Sequence, residues 1–346
     1  MKLLDVVRER TYFARDLGST ATRHLKASGE VVRVCLGGYL RMDPDWQSWD
    51  RARAVNIART LVSLEYGDGA RACLTSCAVL YELPIWQPVT TVDLLVPRCS
   101  WRKPLKFPAV LKEPIEHPEV LKRHCYAVDD GDFREVGGVP TLDVARLVLD
   151  VALFWHPRDA LVVVDAILAT AARSSRLDRQ GTEARAAAIQ GEWLRKLEGL
   201  SLIRGKKRAA VIIASATPWS ESPGESVTRW GALAMGLPEP ICQYEFTRRN
   251  GRCYYLDLFW ELYGRGIEFD GRVKYMGDRP LGVILTEKDR DEEIRRGGIS
   301  LKHMDIHDVK SPGALGRALR DAVPAEVWKH TRPRPELWVP GFPRWS

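Results

Sequence analysis

The chain has 346 residues, a formal net charge of +7 and 45% hydrophobic side chains. That length exceeds one ordinary core, so two or three domains are expected. No apolar run approaches a membrane span and no signal-like segment opens the chain. Its 7 cysteines follow no regular spacing, which argues against a disulfide framework or a zinc ribbon. A reduced, cytoplasmic protein with no membrane partner is expected, and the basic excess is compatible with nucleic acid.

Residues 1–42 read as a small winged helix-turn-helix. Asp5–Arg10 reads as a first helix and Tyr12–Leu17 as a short second one. Gly18 makes the turn, and Ser19 caps a third helix over Thr20–Ser28 that Gly29 ends. Val31–Val34 and Tyr39–Arg41 then form a hairpin through Leu36-Gly37-Gly38. On the third helix Thr20, Thr22, Arg23 and Lys26 face outward, the residue types that read base edges and phosphates of double-stranded DNA. Arg33 and Arg41 on the hairpin would touch backbone phosphates. The same segment also fits a protein-interaction module with a solvated basic face.

The segment resembles the N-terminal domain of AbiEi-type antitoxins, the DNA-binding halves of type IV toxin–antitoxin phage-defence operons. Gly18, Arg23, Leu25, Gly29-Glu30-Val31-Val32-Arg33-Val34 and Gly38-Tyr39 carry the resemblance. It implies a transcriptional regulator of its own operon, a toxin protein as partner and paired DNA sites, with a homodimer as one arrangement.

Residues 43–200 read as a mixed α/β middle domain. Trp46–Tyr66 carries a broad apolar stripe, Ala72–Leu83 is an apolar helix, and Thr90–Val96 is a strand. Cys73 and Cys77 fall at i and i+4 on that helix and read as buried small hydrophobes. The basic loop around Trp101 fits either a nucleic-acid backbone or a solvated loop. Leu142–Phe154 and Asp159–Ala172 read as two packed helices, with Arg146 and Asp150 paired on one face. The antitoxin resemblance continues through Ser76-Cys77-Ala78-Val79-Leu80 and through Gly138-Val139-Pro140 to Ala152. It departs at Tyr81-Glu82, where relatives carry His-Gly, and at Leu142 and Leu147, where they carry Thr.

Gln180–Leu200 reads as a charged helix, and Ala209–Ala216 is ambiguous between strand propensity and helix. Residues 205–325 hold a cluster of acids. Asp257 interrupts the apolar run Leu256–Phe259, an awkward place for a charge without a partner. Glu268 and Asp270 project to one side of the next strand while Ile267 and Phe269 project to a core. Clustered carboxylates suit a hard cation of the Mg2+ type. With Glu225 on a preceding helix that Ser222 can cap and Lys274 just beyond, the ordered set resembles the PD-(D/E)XK nuclease fold in its very-short-patch-repair-like branch. That resemblance implies a catalytic set of Glu225, Asp257, Glu268, Asp270 and Lys274, with Asp257, Glu268 and Asp270 as metal ligands. It also places a charged helix, Thr286–Arg296, beside the carboxylates. The same residues equally fit a fold that keeps them as structural ion pairs. Residues 326–346, rich in Pro, Trp and Arg, form a tail that either packs back on the body or binds a partner.

The expected architecture is therefore mixed α+β and multidomain. Two functions are expected: a DNA-binding, antitoxin-like regulator, or an Mg2+-dependent endonuclease targeted by its winged helix. A third makes the C-terminal module a docking scaffold, with the tail as the contact.

Overall fold

Short alternating strands in this chain are flanked by helices with one apolar face, and the two together give a mixed α/β architecture. The computed structural model describes residues 2–86, 89–98, 103–110, 119–201, 204–247, 251, 253–270 and 281–340, with side chains omitted over 281–288. The chain divides into two units, residues 1–151 and 152–346. No helix among the described residues is long and apolar enough to cross a membrane.

In the first unit α1 (Leu3–Glu9) leads into β1 (Thr11–Phe13), α2 (Ala14–Ala27), β2 (Val32–Cys35) and β3 (Gly38–Leu40). The strands form an antiparallel sheet in the order β1-β3-β2, with Thr11 opposite Leu40 and Arg33 opposite Tyr39. Tyr12 is expected to open a helix but lies in β1. Thr11 and Tyr12 are strand formers, and the Thr11 hydroxyl is buried, donating to the Val7 carbonyl at 2.7 Å. Gly18 breaks α2 at a φ of +69°, a left-handed turn that favours glycine. Ser19 makes no capping bond. The Thr22 hydroxyl instead donates to the Gly18 carbonyl at 2.7 Å.

The unit continues through α3 (Ser48–Glu65), β4 (Arg71–Ala72), α4 (Leu74–Leu80), β5 (Thr91–Leu95), β6 (Leu105–Lys106), β7 (Val120–His124), β8 (Phe133–Val136) and β9 (Val139–Leu142). These strands make a mixed sheet in the order β6-β7-β5-β4-β9-β8, parallel only at β5/β7 and β4/β9. Residues 1–42 share a core with α3 and α4: Leu4, Val7 and Val34 pack with Ile57, Val62 and Val79. Arg59 crosses that core 1% exposed, paired with Glu119 and donating to the Val34 carbonyl at 2.8 Å. Cys73 and Cys77 are fully buried, as their spacing predicts. α5 (Val144–Phe154) spans the division between the units, and Arg146 pairs with Asp150 at 2.8 Å.

The second unit begins with α6 (Pro157–Ala171), α7 (Arg179–Gly199), α8 (Lys206–Ala214) and α9 (Pro223–Ala234). The ambiguous stretch around Val211 is thus a helix. The boundary expected near 200–205 falls between α7 and α8, within this unit. Then come β10 (Ile241–Thr247), β11 (Cys253–Trp260), β12 (Arg265–Phe269), α10 (Leu281–Arg296), β13 (Ser300–Met304), α11 (Ile306–Val309), α12 (Pro312–Ala322) and α13 (Ala325–Trp328). The sheet runs β10-β11-β12-β13, antiparallel except for the last pair. Leu256, Phe259, Ile294 and Ile299 pack under it. Residues 329–340 pack back on the body: the fully buried Trp230 indole donates to the Leu337 carbonyl at 3.1 Å.

Candidate functional site

Two groups of residues stand out, one in each unit. In the first unit, α2 runs for 14 residues without a single buried side chain. Thr20, Arg23 and Lys26 are exposed and Thr22 is half-buried. Arg23 makes no hydrogen bond or ion pair with any described residue. The Lys26 ammonium lies 5.2 Å from the centre of the Tyr39 ring, which joins the helix to the hairpin. On the hairpin Arg33 is exposed, its Nε donating to the Cys35 carbonyl at 3.3 Å. Arg41 is engaged by Glu30 at 3.0 Å and stacks over Tyr12, so part of its charge is already matched.

In the second unit the acids gather on one face of the four-stranded sheet. Ser222 accepts a hydrogen bond from the Glu225 backbone N–H at 3.2 Å and starts α9 as its sequence predicts. At Gly224 an added Cβ would sit 1.9 Å from the Phe269 ring, so glycine there lets the first turn of α9 close onto β12. The pairing of Leu258 with Ile267 puts Asp257 opposite Glu268, with both side chains on the same face.

Each carboxylate has donors of its own. Glu225 Oε2 accepts from the Glu221 backbone N–H at 2.9 Å and from Gln243 Nε2 at 3.2 Å. Gln243 Nε2 also donates to Asp257 Oδ1 at 3.2 Å, and Asp257 Oδ2 accepts from the Phe269 backbone N–H at 2.8 Å. Glu268 is paired with the Arg290 guanidinium from α10. His303 Nδ1 lies 3.8 Å from both Glu268 and Asp270, while its Nε2 is 2.9 Å from Asp291. Lys274 lies outside the described residues, as does Trp101. Among the described residues no three His, Cys, Asp or Glu side chains are placed to hold one metal ion.

Sequence reasoning missed Gln243. It sits in β10 with a φ of +50°, a left-handed conformation that costs a residue with a side chain about 1–2 kcal/mol. Arg179 holds the turned backbone, donating to the Cys242 and Gln243 carbonyls at 2.9 and 3.1 Å. The Gln243 side-chain oxygen accepts from Arg176 at 2.7 Å, which fixes the amide with its NH2 toward the carboxylates. A polar residue between Cys242 and Tyr244 is the only trace of this in the sequence.

Burial, and then the neighbouring Asp257, push the Glu225 carboxyl up to about 7. Burial also raises Asp257. It pushes Glu268 up to about 7 as well, with Arg290 pulling the other way. A raised pKa means the folded state holds the proton more tightly than the unfolded state. The associated stability is therefore full below the ordinary Glu value of 4.5 and lost as pH rises through about 7. The melting temperature of the second unit is expected to fall between about pH 5 and pH 8, and Glu225→Gln to flatten that slope. A melting temperature that rises across the same interval would contradict the assignment.

No protein-family model matches the chain. Over 289 residues it is 25% identical to two Mycobacterium tuberculosis proteins, Rv2248 of strain H37Rv and MT2308 of strain CDC 1551 / Oshkosh, both described as uncharacterized. The match covers 83% of this chain and 90% of each relative. Among solved structures, the crystal structure of the Rv2827c protein of the same organism aligns with a TM-score of 0.30 and 14% identity, over 62% of this chain and 80% of that one.

Proposed function

We propose that this chain is a DNA-binding transcriptional regulator of the antitoxin type, with residues 1–42 of the first unit as its winged helix-turn-helix reader. The observation that carries the reading is α2: a helix with no fully buried side chain that presents Thr20, Arg23 and Lys26 to solvent. Short helices draw most of their stability from packing, so one that packs so little suits docking onto another surface. Its residue types match base edges and phosphates, and the hairpin bearing Arg33 lies beside it in the position of a wing. In this reading the promoter of its own operon is the target, paired half-sites are read by two copies, and a toxin protein is the partner.

Fluorescence anisotropy with DNA from upstream of its own gene tests this. Wild type is expected to prefer that DNA over random duplex, with affinity falling steeply as salt rises. Arg23→Ala is expected to weaken binding by about 1–3 kcal/mol and to lessen the sequence preference. Arg33→Ala should weaken binding to all sequences alike and make it less salt-dependent. Equal affinity for all duplexes would remove the regulator from consideration.

The second reading is a metal-dependent endonuclease, favoured by the convergence of Glu225, Asp257 and Glu268 on one sheet face. Plasmid incubated with Mg2+ or Mn2+ discriminates: nicking that disappears in Asp257→Ala would establish it.

A further inference from the structure

The acids of the second unit lie where a divalent cation would be sought, yet their oxygens face N–H donors of the protein. One amide group, Nε2 of Gln243, sits 3.2 Å from Glu225 and 3.2 Å from Asp257. That is the bridging position between two carboxylates. The backbone N–H groups of Glu221 and Phe269 add a second donor to Glu225 and to Asp257, at 2.9 and 2.8 Å. The third acid, Glu268, meets a full positive charge on Arg290, which is itself steadied over the Tyr254 ring 5.0 Å away. A hard cation bound at ~2.1 Å needs these same lone pairs.

We infer that Gln243 and Arg290 stand in for a divalent cation, so that the carboxylate cluster is a metal-free structural lock. The backbone of β10 is built to this end. Gln243 is 2% exposed and held at a φ of +50°, with Arg179 binding the rotated carbonyls and Arg176 holding the amide oxygen. A side chain that merely filled space would not need a left-handed backbone in a strand or three side-chain hydrogen bonds to neighbouring chain segments. Arg290 supplies the net charge that a neutral amide lacks. The two groups therefore divide the work of one ion: Gln243 bridges Glu225 to Asp257, and Arg290 neutralises Glu268. The inference does not depend on DNA recognition, which is read in the first unit by a separate measurement, and it stands against the endonuclease reading, which needs a metal ion on these same acids.

The test is Mn2+ binding to the full chain, read by electron paramagnetic resonance and by thermal melting, with Asp257→Asn as the control for site. Wild type is expected to show no Asp257-dependent Mn2+ uptake at millimolar metal, and the same melting temperature in Mn2+ as in EDTA. The double variant Gln243→Gly/Arg290→Ala empties both donor positions while relieving the backbone strain. It is expected to melt several degrees lower in EDTA and to recover part of that loss on adding Mn2+. Should the double variant not fold, Arg290→Gln alone is measured, with a smaller gain in Mn2+ expected. Asp257-dependent Mn2+ binding by wild type, accompanied by a higher melting temperature, would overturn the inference. So would a folded variant that Mn2+ fails to stabilise.

Discussion

Arg229→Ala is expected to destabilise the second unit by about 3–5 kcal/mol, because it strands a buried carboxylate. Arg229 on α9 is 0% exposed and Asp165 on α6 is 1% exposed. One guanidinium nitrogen, Nη2, donates to both Asp165 carboxylate oxygens, at 2.8 and 3.1 Å, and Nη1 donates to the Ser215 carbonyl at 2.5 Å. Asp165 further accepts from the Thr217 backbone N–H and the Ser226 hydroxyl, each at 2.8 Å. Truncating Arg229 leaves Asp165 with two neutral donors and no countercharge, and it leaves the Ser215 carbonyl without its guanidinium donor. An exposed pair of the same type is worth ~1 kcal/mol or less, so burial sets the size of the effect. Urea unfolding followed by far-ultraviolet circular dichroism measures it. Arg229→Met combined with Asp165→Asn removes both charges and is expected to lose much less than Arg229→Ala alone. Equal losses in the two variants would show that packing, not the uncompensated charge, dominates.

The consequence reaches the acidic cluster, because α9 carries Glu225 at its first turn and Arg229 one turn later. The pairing with Asp165 fixes the rotation of α9 about its own axis, and with it the direction in which Glu225 points. What the sequence revealed here was local. Ser222 read as a cap for the helix that carries Glu225, Asp257 as a charge in an apolar strand, and Glu268 and Asp270 as neighbours on one strand face. Those readings need only alternation, capping chemistry and the cost of burying a charge. The identities of the donors were not legible. Gln243 reaches Asp257 from the neighbouring strand, 14 residues earlier in the chain. Arg290 lies among other charges on α10, where any of several could have faced inward. Pairing of that kind depends on register and helix rotation, which a single sequence leaves open. The same limit applies at Thr11–Phe13. Three residues of strand propensity next to helical sequence become β1 only because β3 offers Leu40 and Tyr39 as partners. At Gly18 and Gly29, by contrast, the breaks in the chain were readable, because glycine tolerates the left-handed turns found there at +69° and +73°.

Gly236→Ala is expected to cost roughly 2–5 kcal/mol, the sum of a left-handed backbone penalty and a backbone collision. Gly236 ends α9 at a φ of +84°, with its N–H bonded to the Leu233 carbonyl and the Leu237 N–H to the Ala232 carbonyl, both at 3.0 Å. This is the Schellman pattern, in which glycine follows the last helical residue. The close approach adds to it: an alanine Cβ would lie 2.0 Å from the Arg332 carbonyl oxygen and 2.5 Å from its carbon. Arg332 belongs to the segment that straps the end of α9. Arg334 donates its N–H to the Ala234 carbonyl at 3.0 Å, and Glu336 pairs with Lys207 at 2.9 Å. Leu337, 0% exposed, fills the space beside Trp230. The collision is with backbone, so no side-chain rotation relieves it, and the strap has to move. Gly236→Ala should therefore lower the melting temperature and expose residues 329–340 to limited proteolysis. Gly236→Asn separates the two causes. Asparagine tolerates the left-handed conformation better than alanine but collides with Arg332 in the same way. If asparagine restores wild-type stability, the φ penalty alone accounts for the loss. If it behaves like alanine, the contact with Arg332 holds the end of α9, and through that helix the strap supports the turn that carries Glu225.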